Sequence, residues 1–125
     1  MNNTHKNSIT KTASAAISQG VIVKLGSDSS CVAACSATDA NAIGVTLDSA
    51  VQNDNVAVAL LGIANHTVQA VASGAISAGA KVYLAANGKI SASGTIYVGI
   101  ALTAASADGD LVELAHCTPI DETTE

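Results

Sequence analysis

The chain says nearly the same thing twice, and that duplication limits what it can fold into. Ala16-Ile17-Ser18-Gln19-Gly20-Val21-Ile22-Val23-Lys24-Leu25 returns as Ala75-Ile76-Ser77-Ala78-Gly79-Ala80-Lys81-Val82-Tyr83-Leu84. Further on, Ile43-Gly44-Val45-Thr46-Leu47-Asp48-Ser49-Ala50 returns as Val98-Gly99-Ile100-Ala101-Leu102-Thr103-Ala104-Ala105. Each copy then passes an acidic turn, at Asp54 or Asp108, into an alternating apolar run, Val56 to Leu60 or Leu111 to Leu114. A repeat of this kind is one supersecondary unit built twice. Each copy alone has too few apolar side chains to close a core.

The unit is made of strands, although the 25 alanines argue for helix. Against them stand 33 β-branched residues, whose stiff side chains suit a pleated surface. The apolar residues also recur at period two where a helix needs 3.6. In Asn55-Val56-Ala57-Val58-Ala59-Leu60 the large residues share one face and small ones the other. Lys81 to Leu84 and Thr95 to Leu102 alternate in the same way. Asn87-Gly88 lies between Val82-Tyr83-Leu84 and Lys89-Ile90-Ser91, and Asn-Gly supplies the positive φ angles of a hairpin turn. The expected fold is therefore all-β: a compact β-sandwich of two related units, about 15–62 and 75–116, inside one domain over 15–117. A flexible polar arm, 1–14, precedes it and an acidic tail, 118–125, follows.

One domain suits a chain of 125 residues. Its core is thin, because Phe and Trp are absent and Tyr83 and Tyr97 are the only aromatic residues. Small side chains bury little area, at about 25 cal/mol per Å² of apolar surface. Self-association is a natural way to add buried area.

Charge narrows the function. Arg is absent and the net charge is −5, so the Lys/Arg clusters that neutralise phosphates are missing, and with them the aromatic platforms that stack bases. Nucleic-acid binding is excluded on that ground. No run approaches the roughly 18 apolar residues of a membrane span, and residues 1–14 are too polar for a signal peptide's apolar core. The expectation is a soluble protein made in the cytoplasm. Basic residues gather early (Lys6, Lys11, Lys24) and acidic ones late (Asp121, Glu122, Glu125).

Neither metal nor catalytic chemistry finds a motif. Cys31, Cys35 and Cys117 are an odd number without a secretion signal, which disfavours a disulfide framework. A zinc site on Cys31, Cys35, His116 and Cys117 lacks the closely spaced ligand pairs on tight turns that such sites use, and adjacent strand residues point to opposite faces. The cysteines read as buried free thiols. Of the acid and base candidates, Asp48, Asp54, His66, Asp108, Asp110 and Glu113, those at strand ends suit backbone capping. There is no nucleophile elbow, phosphate loop or paired-histidine motif. No catalytic residue, metal or cofactor is expected.

The order of elements from Ala42 to Leu114 resembles the small capsid decoration proteins of tailed bacteriophages, also called cement or head-stabilising proteins, in the group with a β-tulip-like fold. The likeness is carried by Ile43-Gly44-Val45, Val56-Ala57-Val58-Ala59-Leu60-Leu61-Gly62, Ala75 to Leu84, Val98-Gly99-Ile100-Ala101-Leu102 and Gly109-Asp110-Leu111-Val112-Glu113-Leu114. Ala80 departs from it, standing where the family often has an acid. The resemblance implies a homotrimer on the outer surface of an expanded shell of major capsid protein, bridging capsomers, and no catalytic residues. For shell contact the candidates are Thr4, His5, Lys6, Asn7 and Lys11 of the arm.

Two other classes stay open. One is a trimeric head-fibre or glycan-binding module using the loop residues Asn65, His66 and Asn87. The other is a small enzyme or metal protein built on Cys31, Cys35, His66 and His116.

Overall fold

A computed structural model describes residues 8–26, 30–39, 41–61, 67–115 and 120–121. The strands follow in two sets of five. The first comprises β1 (Ser8–Ala13), β2 (Ile22–Leu25), β3 (Cys31–Ala34), β4 (Gly44–Thr46) and β5 (Asn55–Leu60). The second comprises β6 (Val68–Val71), β7 (Lys81–Leu84), β8 (Ile90–Ser91), β9 (Ile96–Ala101) and β10 (Leu111–Ala115). A short β11 (Ile120–Asp121) pairs antiparallel with β9.

Both sets are rolled with the same order. In the first, β1-β3-β2-β4-β5 closes into a barrel through antiparallel pairing of β1 with β5 and parallel pairing of β1 with β3. In the second, the order is β6-β10-β9-β7-β8, and its two outer strands meet at one parallel bridge, Ala72 to Ile90. That bridge is the counterpart of the Ala13–Val32 pair in the first barrel. The all-β class and the two related units expected from the repeat are thus present, each curled on itself.

The repeat reaches down to single hydrogen bonds. Ile17 and Ala50 exchange two bonds of 2.8 Å, and Ile76 and Ala105 exchange two of 2.9 Å. Gly20 N–H donates to Thr46 O as Gly79 N–H does to Ala101 O, and both glycines have positive φ. Ala13 N–H donates to Asp54 O as Ala72 N–H does to Asp110 O. Asp110 is therefore the equivalent of Asp54, two residues past the Asp108 that the sequence pairs with it.

Two apolar clusters fill the molecule, and one of them spans both units. Ala13, Ile17, Val21, Val23, Val32, Val56 and Val58 fill the first barrel. A second cluster joins the interior of the second unit, including Val82, Leu84, Ile96, Val98, Val112 and Leu114, to Ile22, Cys35, Val45 and Ala59 of the first. Ile22 and Val23 are adjacent and so point to opposite faces. Register puts Ile22 beside Val45 and Val45 beside Ala59, forming a row on the barrel's outer face that is buried against unit two.

Three boundaries differ from the sequence reading. The expected flexible arm, 1–14, contains β1, whose ladder runs from Ser8–Ala59 to Thr12–Asn55. Only Ile9 and Ala13 there need be apolar, so the polar sequence masks the strand, while β-branched Thr10 and Thr12 suit it. At the other end, Ile120–Asp121 of the expected acidic tail belong to β11. The expected hairpin is present, with Tyr83 opposite Ser91 and Leu84 opposite Ile90. Its loop is wider than a two-residue turn and holds a single 3-10 turn, Ala86–Gly88, with Asn87 and Gly88 both at positive φ.

Candidate functional site

The units meet along a groove of about 650 Å³, within the range of ligand pockets. One wall is the first copy of the repeated motif, Ala16 to Gln19 with Val21, joined by Ala34 and Ser49. The other is Val71, Asn87, Lys89, Gly109 and Leu111 of unit two.

Backbone contacts hold these walls together. Val71 N–H donates to Gly20 O at 3.1 Å, and Gly88 N–H donates to Cys35 O at 2.7 Å. Gly88 has φ of +73°, and a Cβ there would stand 2.5 Å from Ile22 O and 2.5 Å from Val21 Cγ1. The glycine of Asn87-Gly88 thus serves the junction as well as the hairpin. On the first wall, buried Thr46 accepts from Val21 N–H (3.0 Å) and donates to Ser18 O (2.7 Å), so a polar group in the core has both partners.

Polar side chains around the groove serve the fold. Lys89 Nζ and Asp108 Oδ1 form an ion pair at 2.8 Å. Asp110 accepts from the backbone N–H of Ser106 and Ala107 and from the Ser106 hydroxyl, and these bonds, the Ser106 N–H first, lower its pKa. Asp48 accepts from Ala57 N–H, and Glu113 accepts from the Thr67 hydroxyl. Asp39 takes Lys24 Nζ at 2.7 Å and caps Ser36 N–H; its pKa falls and that of Lys24 rises, each chiefly through their shared bond. Asp39, Asp48 and Asp110 thus accept from backbone N–H groups, whereas Asp108 pairs with Lys89 and Glu113, within β10, accepts from a side chain.

Cys31 and Cys35 are buried, and neither is in a disulfide. Burial, with help from the Asp39 carboxylate, pushes the Cys35 thiol up to about 11, leaving it protonated and a poor nucleophile at neutral pH. Among the described residues no three His, Cys, Asp or Glu side chains come together.

Of the predicted contact residues, Lys11 is half-buried in β1, and strand alternation gives it the face shared by Ile9 and Ala13. Asn87 lines the groove. Thr4, His5, Lys6, Asn7, Asn65, His66, His116 and Cys117 lie outside the described residues. Sequence reasoning missed Ser18, Gln19 and Lys89 as groove residues. Ser18 and Gln19 lie in the most conspicuous motif of the chain, yet only the docking of the second unit turns that motif into a wall.

The fold defines a class, a small all-β protein built from two rolled, duplicated units. The chain belongs to the phage cement protein family, whose profile matches residues 2–116. Its structure is similar to that of the head fiber gp8.5 N base in bacteriophage phi29, with a TM-score of 0.68 and 18% sequence identity. That match covers 86% of this chain and 90% of the other, and at such identity it speaks for the fold. Among curated proteins, none matches the sequence.

Proposed function

We propose that this protein binds the outer surface of an expanded phage capsid as a trimer and stabilises the shell by bridging neighbouring capsomers. The observation that carries this reading is the cement-family match over nearly the whole chain. The physics is linkage: a protein that binds only the expanded lattice stabilises that lattice in proportion to its occupancy. Three modest contacts on one trimer reinforce each other, since those after the first are intramolecular. Thr4, His5, Lys6, Asn7 and Lys11 are the proposed contacts with the major capsid protein. The protein is made in the host cytoplasm, ends in the virion, and acts without catalysis or cofactor. Mixing purified protein with expanded and unexpanded empty shells and sedimenting them tests the proposal. Protein pelleting with expanded shells supports it; protein left in the supernatant with both overturns it.

A second reading is favoured by the structural likeness to a head-fibre base and by Asn87 in the groove. Here the chain seats a fibre or binds surface glycans. Saccharide-dependent shifts in the NMR signals of Asn87 and Lys89, without shell binding, would select it.

A further inference from the structure

Asn87 is the one asparagine of the chain that is followed by glycine. In an open chain that pair modifies itself. The Gly88 nitrogen, unhindered by a Cβ on its own residue, attacks Asn87 Cγ; the bond from Cγ to the side-chain nitrogen breaks, and the proton lost from Gly88 ends on the departing ammonia. Water then opens the succinimide to aspartate or isoaspartate, and is the sole co-reactant. The fold leaves the electrophile in the open and holds the nucleophile. Asn87 is exposed in the wall of the groove, whereas Gly88 is buried. What holds Gly88 comes from unit one. Its N–H donates to Cys35 O at 2.7 Å, a bond that favours the protonated nitrogen. Ile22 O and Val21 Cγ1 crowd its Cα so closely that a Cβ would stand 2.5 Å from each, which denies the Asn87-Gly88 peptide room to turn toward the side chain.

We propose that Asn87-Gly88 is a self-modification site gated by the junction between the two units, silent while the junction is closed and reactive when it opens. Motions that part Gly88 from Cys35 and Ile22 free the nitrogen, and local openings of this kind span free energies up to that of global unfolding. With opening and closing fast relative to the chemistry, the rate is that of the free pair multiplied by the open population. The reaction runs one way. Isoaspartate lengthens the main chain of the hairpin by one carbon, and either product sets a new carboxylate in the groove wall that Asn87 shares with Lys89. A molecule that has stood open is therefore marked permanently, and the chemical lifetime of the chain is set by how tightly its units dock. This gate is a property of the chain itself and stands apart from shell binding.

To test it, folded protein and protein unfolded in urea are incubated at mildly alkaline pH and cleaved after lysine. The peptide Val82 to Lys89 is then scored by mass for conversion of the Asn87 amide to a carboxyl, and by chromatography for isoaspartate. Asn87 should react about tenfold or more slowly in the folded chain. In parallel, hydrogen exchange of the Gly88 amide is followed by NMR in wild type and in Val45→Ala, which trims the row that unit two covers and leaves the hairpin sequence unchanged. Gly88 exchange and Asn87 conversion should both rise in the variant, by the same factor, with the β circular dichroism retained. Equal conversion rates in folded and unfolded wild type overturn the proposal, as does faster Gly88 exchange in the variant without faster conversion. Where Val45→Ala fails to fold or leaves Gly88 exchange unchanged, wild type in urea below its unfolding transition decides: the two rates rise together, or the proposal fails.

Discussion

At Gly88 two demands fall on one residue: a left-handed backbone and the passage of unit one's Ile22 carbonyl within 2.5 Å of where a Cβ would lie. Gly79 shares only the first, with φ of +86° and open space around it. Gly79→Ala should therefore cost about 1–2 kcal/mol, the ordinary penalty of a left-handed L-residue. Gly88→Ala should cost more, about 2–5 kcal/mol, since overpacking adds to that penalty. Urea unfolding of both variants measures the difference. Cys35 makes a pH prediction. Its thiol pKa rises from 9.0 to about 11 in the folded chain, so the native state holds a proton that the unfolded chain releases first. The stability it contributes is complete below about pH 9 and is lost as pH climbs toward about 11. Cys35→Ala should flatten the alkaline fall in stability relative to wild type, measured by urea midpoints across that window. An unchanged slope contradicts the burial argument.

Among the elements, β1 decides whether the first unit is a barrel. It pairs with β5 on one side and β3 on the other, and its Ala13 is fully buried. Deleting residues 1–13 should open the barrel and abolish cooperative thermal unfolding, whereas deleting 1–7 removes none of these pairs and should preserve it. Calorimetry of the two truncations distinguishes them. The same strand shows why part of the fold is hard to read from sequence. β2, β4, β5, β7, β9 and β10 announce themselves because one face is Val, Ile or Leu. β1 is mostly polar, with two Thr and one Lys in six residues, and its strand character comes from distant partners, Ala59 and Val58 of β5 and Cys31 and Val32 of β3 among them. The groove was hidden for a related reason. Ser18 and Gln19 belong to the repeat, but their role depends on which face of unit two is set against them. Asn87 was legible because Asn-Gly chemistry is local, and the repeat was legible because equal residues at equal spacing recur whatever the tertiary contacts.

As a whole molecule, the chain is two equivalent β units joined asymmetrically. One unit's outer face is sealed by the other, and the second unit's outer face carries both tyrosines. Lys24 pairs with Asp39 and Lys89 with Asp108, while Asp48 and Asp110 accept from backbone N–H groups. The proposed stabilisation of the expanded shell is measured most directly as the disassembly temperature of expanded empty shells, followed by calorimetry as protein is added. The account predicts an upward shift that grows with the logarithm of free protein once sites are filled, and no shift for unexpanded shells. An unchanged disassembly temperature at saturating protein would contradict it.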